Sequence, residues 1–478
     1  MAAAKRGFKP FPKPLPLRKL IGPSFIILAL GLGSGEVILW PFLTSKYGLG
    51  IAWGAFLGIT FQYFMNMEIE RYSLVKGESV FVGLNKMFKW PPYWFILSTF
   101  IGFGIPGIIA ASAKVASHLL GFEEHKWIAV GFLLIIGVIL SSGKTVYGMM
   151  ERITRTVLLV GAPFILLLAI LMAKSIDWLA LGKGLVGIGE SIASQPGGFL
   201  FLPAGISFAT FLAAFAYAGA GGNLNLTQSI YVKEKGYGMG KYAQRMAGLF
   251  TSRRHEEVEL SGENFEMNRQ NLSNFRGWWK RISAEHLIIF WFIGLMTMSL
   301  LMLLSYTTAF KLGGVESEGI QFVMDEGAII GQQLIPIVGT LFLVAVVIML
   351  FQTQLGVMDS TSRIMSENFA IKRLEARKES KIHLSNIYYA FLWAQIAFGI
   401  TLFLLDFKNP LILIVTGAVI NAVAMFVHLG LVNWMNLKVL PKEVQAHVWR
   451  KTIMVGIFLF FGFFSVVTIV SEAGKFFG

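Results

Sequence analysis

The feature that most restricts this chain is the recurrence of long apolar blocks along all of its 478 residues. A helix that crosses a bilayer needs about 20 mostly apolar residues. Eleven such spans are predicted, at 21–45, 51–70, 93–120, 127–142, 150–173, 201–231, 285–306, 334–360, 386–405, 409–433 and 452–470. The first has a basic flank, but it is long and lacks a small-residue cleavage site, so it reads as a span rather than a leader. No loop between spans is large enough for a soluble catalytic domain. An enzyme is therefore not expected, and neither is a cofactor.

Composition agrees with a membrane protein. Charged residues are 14% of the chain, against about 25% in soluble proteins. The 14% of aromatic residues argues against a disordered chain. There is no cysteine, which excludes disulfides, thiolate metal ligands and cysteine nucleophiles. The net charge of +14 has an orientational origin. With the N-terminus placed in the cytoplasm, 33 of the 41 Lys and Arg fall on inner segments and 7 on outer ones. The basic excess then faces anionic lipid of the inner leaflet and not nucleic acid. The expectation is an integral protein of the plasma (inner) membrane, N-terminus cytoplasmic and C-terminus outside. The sequence assigns no oligomeric state.

The predicted organisation is a basic cytoplasmic N-terminus (1–20), a first five-helix repeat (21–173), a second (201–433) and an eleventh helix (452–470). The second repeat contains a polar cytoplasmic loop, 232–284. This loop carries Lys235-Gly236-Tyr237-Gly238-Met239-Gly240 and Arg253-Arg254-His255-Glu256-Glu257. A short amphipathic helix is expected there, with Trp278 and Trp279 at the membrane interface.

Glycines inside the spans give the next signal. Span 1 reads Leu30-Gly31-Leu32-Gly33-Ser34-Gly35-Glu36, and span 6 reads Tyr217-Ala218-Gly219-Ala220-Gly221-Gly222-Asn223. Each glycine costs about 1 kcal/mol of helix propensity relative to alanine. Unwound backbone at membrane depth is tolerated where it is packed in protein or lines a cavity; close packing of helices through small residues is the competing explanation. The two clusters lie five spans apart, at corresponding positions of two five-span blocks. That pattern points to an inverted-repeat transporter with its site at the two breaks. Glu36 adds a carboxylate at the first break, and an intramembrane carboxylate is read as functional by default.

These residues resemble the Nramp divalent-metal transporters. That family carries a Gly-Pro pair, then Asp-Pro-Gly-Asn, then an aromatic-Gly pair; this chain has Gly22-Pro23, Gly33-Ser34-Gly35-Glu36 and Tyr47-Gly48 at the same offsets. Lys76-Gly77-Glu78 is similar to the family's stretch at the end of span 2. Asn223-Leu224-Asn225-Leu226 stands where the family has Met-Pro-His-Asn-Leu-Tyr-Leu. In span 8, Gln352 and Ser366-Glu367-Asn368-Phe369 resemble the family's Gln-rich helix ending in Met-Glu-Gly-Phe. The resemblance implies an all-α LeuT-type (APC superfamily) fold. That fold is a 5+5 inverted repeat of 11 transmembrane helices with helices 1 and 6 broken. It also implies alternating access and, usually, proton-coupled import of manganese or iron.

The departures bear on the cargo. The family's metal-binding Asp falls on Gly33 and its Asn on Glu36. Its Met falls on Ala220, and its Pro and His on Gly221 and Gly222. The acidic stretch of span 3 becomes Ala111-Ser112-Ala113-Lys114, and the glutamine of span 10 falls on Gly417. The thioether suited to softer metals is gone.

Three readings stand. In the first, Glu36 with Asn223, Asn225, Gln228, Gln352 and the backbone around Gly33, Ser34, Gly35, Ala220, Gly221 and Gly222 holds a cation. Oxygen ligands of this kind suit magnesium, calcium or manganese. In the second, the same breaks bind a small organic substrate, as in amino-acid/polyamine/organocation carriers, with Glu36 paired to an amine or to Lys114. In the third the protein is a non-transporting scaffold or sensor. Proton or sodium coupling has two sets of candidates. Lys114 and His118, four apart on one helix face, are the first; stem snorkelling of Lys114 toward the outer interface is the plainer alternative. Asp359, Ser360 and Thr361 resemble a sodium-site helix, against a solvated inner helix end or an ion pair as plainer alternatives. Gln62, Asn66, Glu68 and Glu70 are expected to line an inner vestibule or cap the end of span 2. Asn421 and His428 are expected to be packed through hydrogen bonds.

Overall fold

A computed structural model describes residues 8–16, 20, 22–142, 146–192, 194–244, 257–312 and 319–477. Among them, nine helices are long and apolar enough to cross a membrane. Two further segments complete the predicted set. Span 2, Ala52–Lys76, carries Glu68, Glu70 and Arg71 in its inner half. Span 6 is divided into two nine-residue helices.

Span 1 begins at Pro23, where a missing backbone N–H costs nothing. It runs as an α-helix over Pro23–Gly31, breaks at Leu32 and Gly33, and resumes as a π-helical turn, Ser34–Leu39, before Trp40–Tyr47. Span 6 opens at Phe208–Ala216, with the Ser207 hydroxyl accepting from the Thr210 amide at 3.3 Å. It unwinds at Tyr217–Gly221, passes through a 3-10 turn at Gly222–Leu226 and continues as Thr227–Lys235. Gly221 and Gly222 have φ of 73° and 52°, a region that only glycine enters without strain. Both breaks expected from the sequence are therefore present, although span 6 becomes helical at Phe208 rather than at 201. Span 3 carries a third break that the sequence reading lacks: it is split into Pro91–Gly104 and Gly107–Leu120 around Pro106. Proline there supplies no N–H and clashes with the preceding turn.

The remaining spans are His125–Ser142, Val146–Met172, a helix from Arg269 to Phe310, Pro336–Arg377, Leu384–Leu404, Pro410–Val439 and Val448–Phe477. The two halves of span 3 pack against span 8, and the first half of span 6 packs against span 10. Two short segments, Ile188–Gly189 and Phe199–Leu200, pair antiparallel on the outer side with Ile188 opposite Leu200.

The inner face, meaning the side of the N-terminal segment, differs from expectation at span 7. The helix that becomes span 7 starts at Arg269, inside the predicted loop, because the Asn268 side chain caps it by accepting from the Asn271 amide at 2.9 Å. The N-terminal segment lies across this extension as a strap. Phe11 donates its amide to Asn271 (3.0 Å), Asn274 donates to the Phe11 carbonyl (2.9 Å), and Arg281 donates to the Pro14 carbonyl (2.8 Å). Trp278 is not at an interface. It is buried, and its indole N–H donates to the Pro12 carbonyl at 3.0 Å. Alternating prolines leave free carbonyls along an extended segment, and Trp278 takes up one of them. Trp279 lies under the Arg71 guanidinium, 3.7 Å from the ring centre. Of the loop motif, Arg253–Glu256 lies outside the described residues.

Candidate transport site at the helix breaks

The breaks of spans 1 and 6 meet backbone to backbone. A Cβ on Gly31 would stand 2.7 Å from the Gly219 carbonyl, and one on Gly35 would stand 1.7 Å from the Tyr217 oxygen. A Cβ on Gly33 would overlap Thr353 at 2.6 Å. The glycine clusters thus serve both explanations at once: they unwind the helices and permit the close approach. Thr353 of span 8 fastens break 1 by donating to the Ala29 carbonyl at 3.0 Å.

Glu36 lies in the π-helical turn and is fully buried. Its Oε2 accepts from the Thr297 hydroxyl of span 7 at 2.7 Å, and its Oε1 has no partner. The carboxylate therefore turns toward span 7, not toward Lys114 as one expectation had it. A π-helical turn holds an extra residue, so α-helical spacing does not predict which neighbour a residue beyond Gly33 faces. Lys114 is half-buried; its charge acts on His125 at the outer end of span 4, and His118 is exposed one turn further on.

Break 6 is held by side chains from three helices. Gln62 was expected near the inner end of span 2. Instead its Nε2 donates to the Ala216 carbonyl (2.9 Å) and its Oε1 accepts from the Gly221 amide (3.0 Å), which replaces helix hydrogen bonds lost there. Asn421 of span 10 donates to the Gly102 carbonyl (3.0 Å) and the Tyr217 hydroxyl (2.9 Å), so it joins the breaks of spans 3 and 6. Asn223 donates to Ser98 (2.8 Å) and Thr99 (3.0 Å), and its oxygen lies 3.4 Å from His428 Nδ1. Asn223 thus faces spans 3 and 10 and not break 1. Asn225 is buried with both amide atoms unpartnered.

Two expected glutamines point elsewhere. Gln352 donates to Thr154 of span 5 at 3.2 Å, and Gln228 donates to Glu70 of span 2 at 3.3 Å. Asp359, Ser360 and Thr361 are all buried, so the solvated-helix-end expectation is corrected in favour of an ion pair. Arg363 donates to Asp359 at 2.9 Å and to Glu234 at 2.7 Å, and Tyr388 donates to Asp359 at 2.8 Å. Tyr231 lies 2.7 Å from the Ser360 hydroxyl, and Thr361 donates to Gln395 at 2.7 Å. A fully desolvated carboxylate requires such partners.

A cavity of about 10 Å³, room for about one water, lies where the breaks of spans 3 and 6 meet. Gly102, Phe103, Tyr217, Gln354, Ile414 and Gly417 line it, and Gln354 Nε2 is buried without a partner. The sequence held its signal in the run Gly102-Phe103-Gly104-Ile105-Pro106-Gly107, a breaker pattern inside an apolar span. Among the described residues no three His, Cys, Asp or Glu side chains cluster as a metal site. A cation at the breaks would be held by one carboxylate with amide and carbonyl oxygens.

No family model matches this sequence, and no curated protein matches it. Solved structures do. A manganese transporter of Eremococcus coleocola superposes with a TM-score of 0.70 at 14% identity, over 100% of this chain and 92% of that one. Mhp1, a nucleobase-cation-symport-1 family transporter with bromovinylhydantoin bound, gives 0.54 at 14% over 96% and 92%. MhsT in complex with L-phenylalanine gives 0.52 at 13% over 94% and 98%. The chain has the LeuT-type fold of an integral membrane protein, two five-span blocks with first helices broken and an eleventh helix appended.

Proposed function

We propose that this chain is an Nramp-related secondary transporter, N-terminus cytoplasmic, that works by alternating access and carries a cation at the breaks of spans 1 and 6. The observation that carries this reading is Glu36. It is a fully buried carboxylate with one oxygen unpartnered and only a threonine hydroxyl on the other. An ionised carboxylate so placed is costly unless a counter-charge joins it. Similarity to a manganese transporter supports a divalent cargo. Ala220, standing where that family has its Met, turns the preference toward hard, oxygen-liking ions such as magnesium, calcium or manganese. Asp359, Ser360 and Thr361 have their oxygens committed to protein partners, so no coupling role is assigned to them.

One observation favours an organic substrate instead. Mhp1 and MhsT, solved structures with the same fold, both hold organic molecules.

Thermal stability of the purified protein against magnesium, calcium, manganese, amino acids and small amines separates the two, each repeated on Glu36→Gln. A ligand that binds only the folded state stabilises it by about 2.7 kcal/mol at a hundredfold excess over its Kd. The expected result is stabilisation by a divalent ion that Glu36→Gln abolishes. Stabilisation by an organic compound alone, unchanged in the variant, overturns the cation reading.

A further inference from the structure

A second buried carboxylate lies on the inner side of the breaks. Glu70 of span 2 is fully buried and its Oε1 has no partner. Gln228, on the inner half of span 6, is fully buried as well. Its Nε2 donates to Glu70 Oε2 at 3.3 Å, and its Oε1 is buried without a partner. One turn nearer the breaks on the same two helix faces are Asn66 and Asn225, buried with both amide atoms of each unpartnered. Span 2 packs directly against the inner half of span 6 and against the 3-10 turn that carries Asn225. The strip thus carries three buried amides with unpartnered atoms and, at its inner end, the Glu70 carboxylate.

Glu285 closes the strip from below, and its role is different. Its Oε2 accepts from the Ser24 hydroxyl at 2.5 Å, and its Oε1 has no partner. It therefore stands at the N-terminus of Pro23–Gly31, where a carboxylate is favoured, tied to it through Ser24. His286 lies 2.8 Å from the same hydroxyl. The first half-helix of span 1 is the floor of the strip and Glu285 fastens that floor. Glu70 is not tied to a helix end; its Oε2 accepts only from the Gln228 amide.

We propose that Glu70 and Gln228 form a second, inner cation site. It is an exit station for a hard, partly hydrated divalent ion that has left Glu36, exposed when the first half-helix of span 1 withdraws. One carboxylate with neutral oxygens binds such an ion weakly, and weak multi-site binding is what passage requires. This inference rests on the cation reading for its cargo, but its residues are separate from Glu36.

The test is equilibrium binding of manganese to the full purified chain, counted by the electron paramagnetic resonance of free ion. Wild type is expected to bind two ions, Glu70→Gln one and Glu36→Gln one. Gln228→Leu, which keeps the carboxylate, is expected to weaken one of the two roughly tenfold. Gel filtration and melting in the absence of metal report whether each variant is folded. Two ions retained by folded Glu70→Gln overturn the inner site. A single wild-type ion lost only in Glu36→Gln also overturns it and leaves the cation reading standing. A single ion lost only in Glu70→Gln keeps the inner site and overturns the assignment of Glu36. No bound manganese overturns both.

Discussion

The two breaks that face each other are built in opposite ways. Break 6 is fastened: Gln62, Asn421 and Asn223 reach it from spans 2, 10 and within, and take up backbone and side-chain groups that the unwound helix leaves open. Break 1 is fastened at Ala29 by Thr353 and at Glu36 by Thr297, and is otherwise held by contact with break 6 through Gly31 and Gly35. The group with an unmet electrostatic need, Glu36 Oε1, sits on the less fastened of the two. The difference teaches that one half of a pseudo-symmetric pair can be fastened by side chains of its neighbours while the other leaves a buried carboxylate oxygen without a partner.

Four substitutions break or sharpen that comparison. The largest effect is expected from Gly35→Ala. Its Cβ would stand 1.7 Å from the Tyr217 oxygen, which is backbone and cannot swing away. Overpacking typically costs about 1–3 kcal/mol, and more against rigid backbone. Loss of a monodisperse gel-filtration peak is expected; a wild-type melting temperature would show that the breaks do not touch. Gln62→Leu comes next. It leaves the Gly221 amide and the Ala216 carbonyl unpaired, at about 1–3 kcal/mol each. A clear fall in melting temperature is expected, and an unchanged one would mean that break 6 is not held by span 2.

Thr297→Val removes the hydroxyl that meets Glu36 and should cost about 1 kcal/mol of stability. Its sharper effect is on ligand: stabilisation by the divalent ion that depends on Glu36 should change although the apo melting temperature barely moves. Equal ligand shifts in variant and wild type would detach span 7 from the site. The smallest effect is a control outside both breaks. Lys126 and Lys408 hold the exposed Asp406 carboxyl below its ordinary value of 3.8. Its contribution is present above that value and is lost as pH falls through the lowered one. Asp406→Asn should leave the melting temperature at pH 7 nearly unchanged and flatten its decline only below about pH 4. A large loss at pH 7 would show the outer ion pair to be structural.

The fold was legible because its signals are local. Span length, glycine clusters and the bias of basic residues act within a single segment or loop, and they led to eleven spans and two breaks. The third break was legible too, in Gly104-Ile105-Pro106-Gly107, but it is one proline motif without a counterpart five spans away. The site was less legible. Glu36, Asn225 and Gln228 were singled out as buried polar residues. Of their neighbours, Glu70 was named only for the inner end of span 2, and Thr297 sits on another helix in ordinary surroundings. Gln62 and Thr353 carry no local mark of their work, since a glutamine or threonine in a span reads the same wherever it points.

What the sequence determined by itself was therefore the architecture: a chain that must satisfy its backbone within helices at membrane depth, with glycine at the points where it does not. The tertiary structure decided which side chain meets which. Hydrogen bonds reach about 3 Å, and a π-helical turn or a half-helix set a few degrees otherwise moves a carboxylate from one neighbour to the next. That is why Glu36 looks to span 7, and why Gln228 finds Glu70.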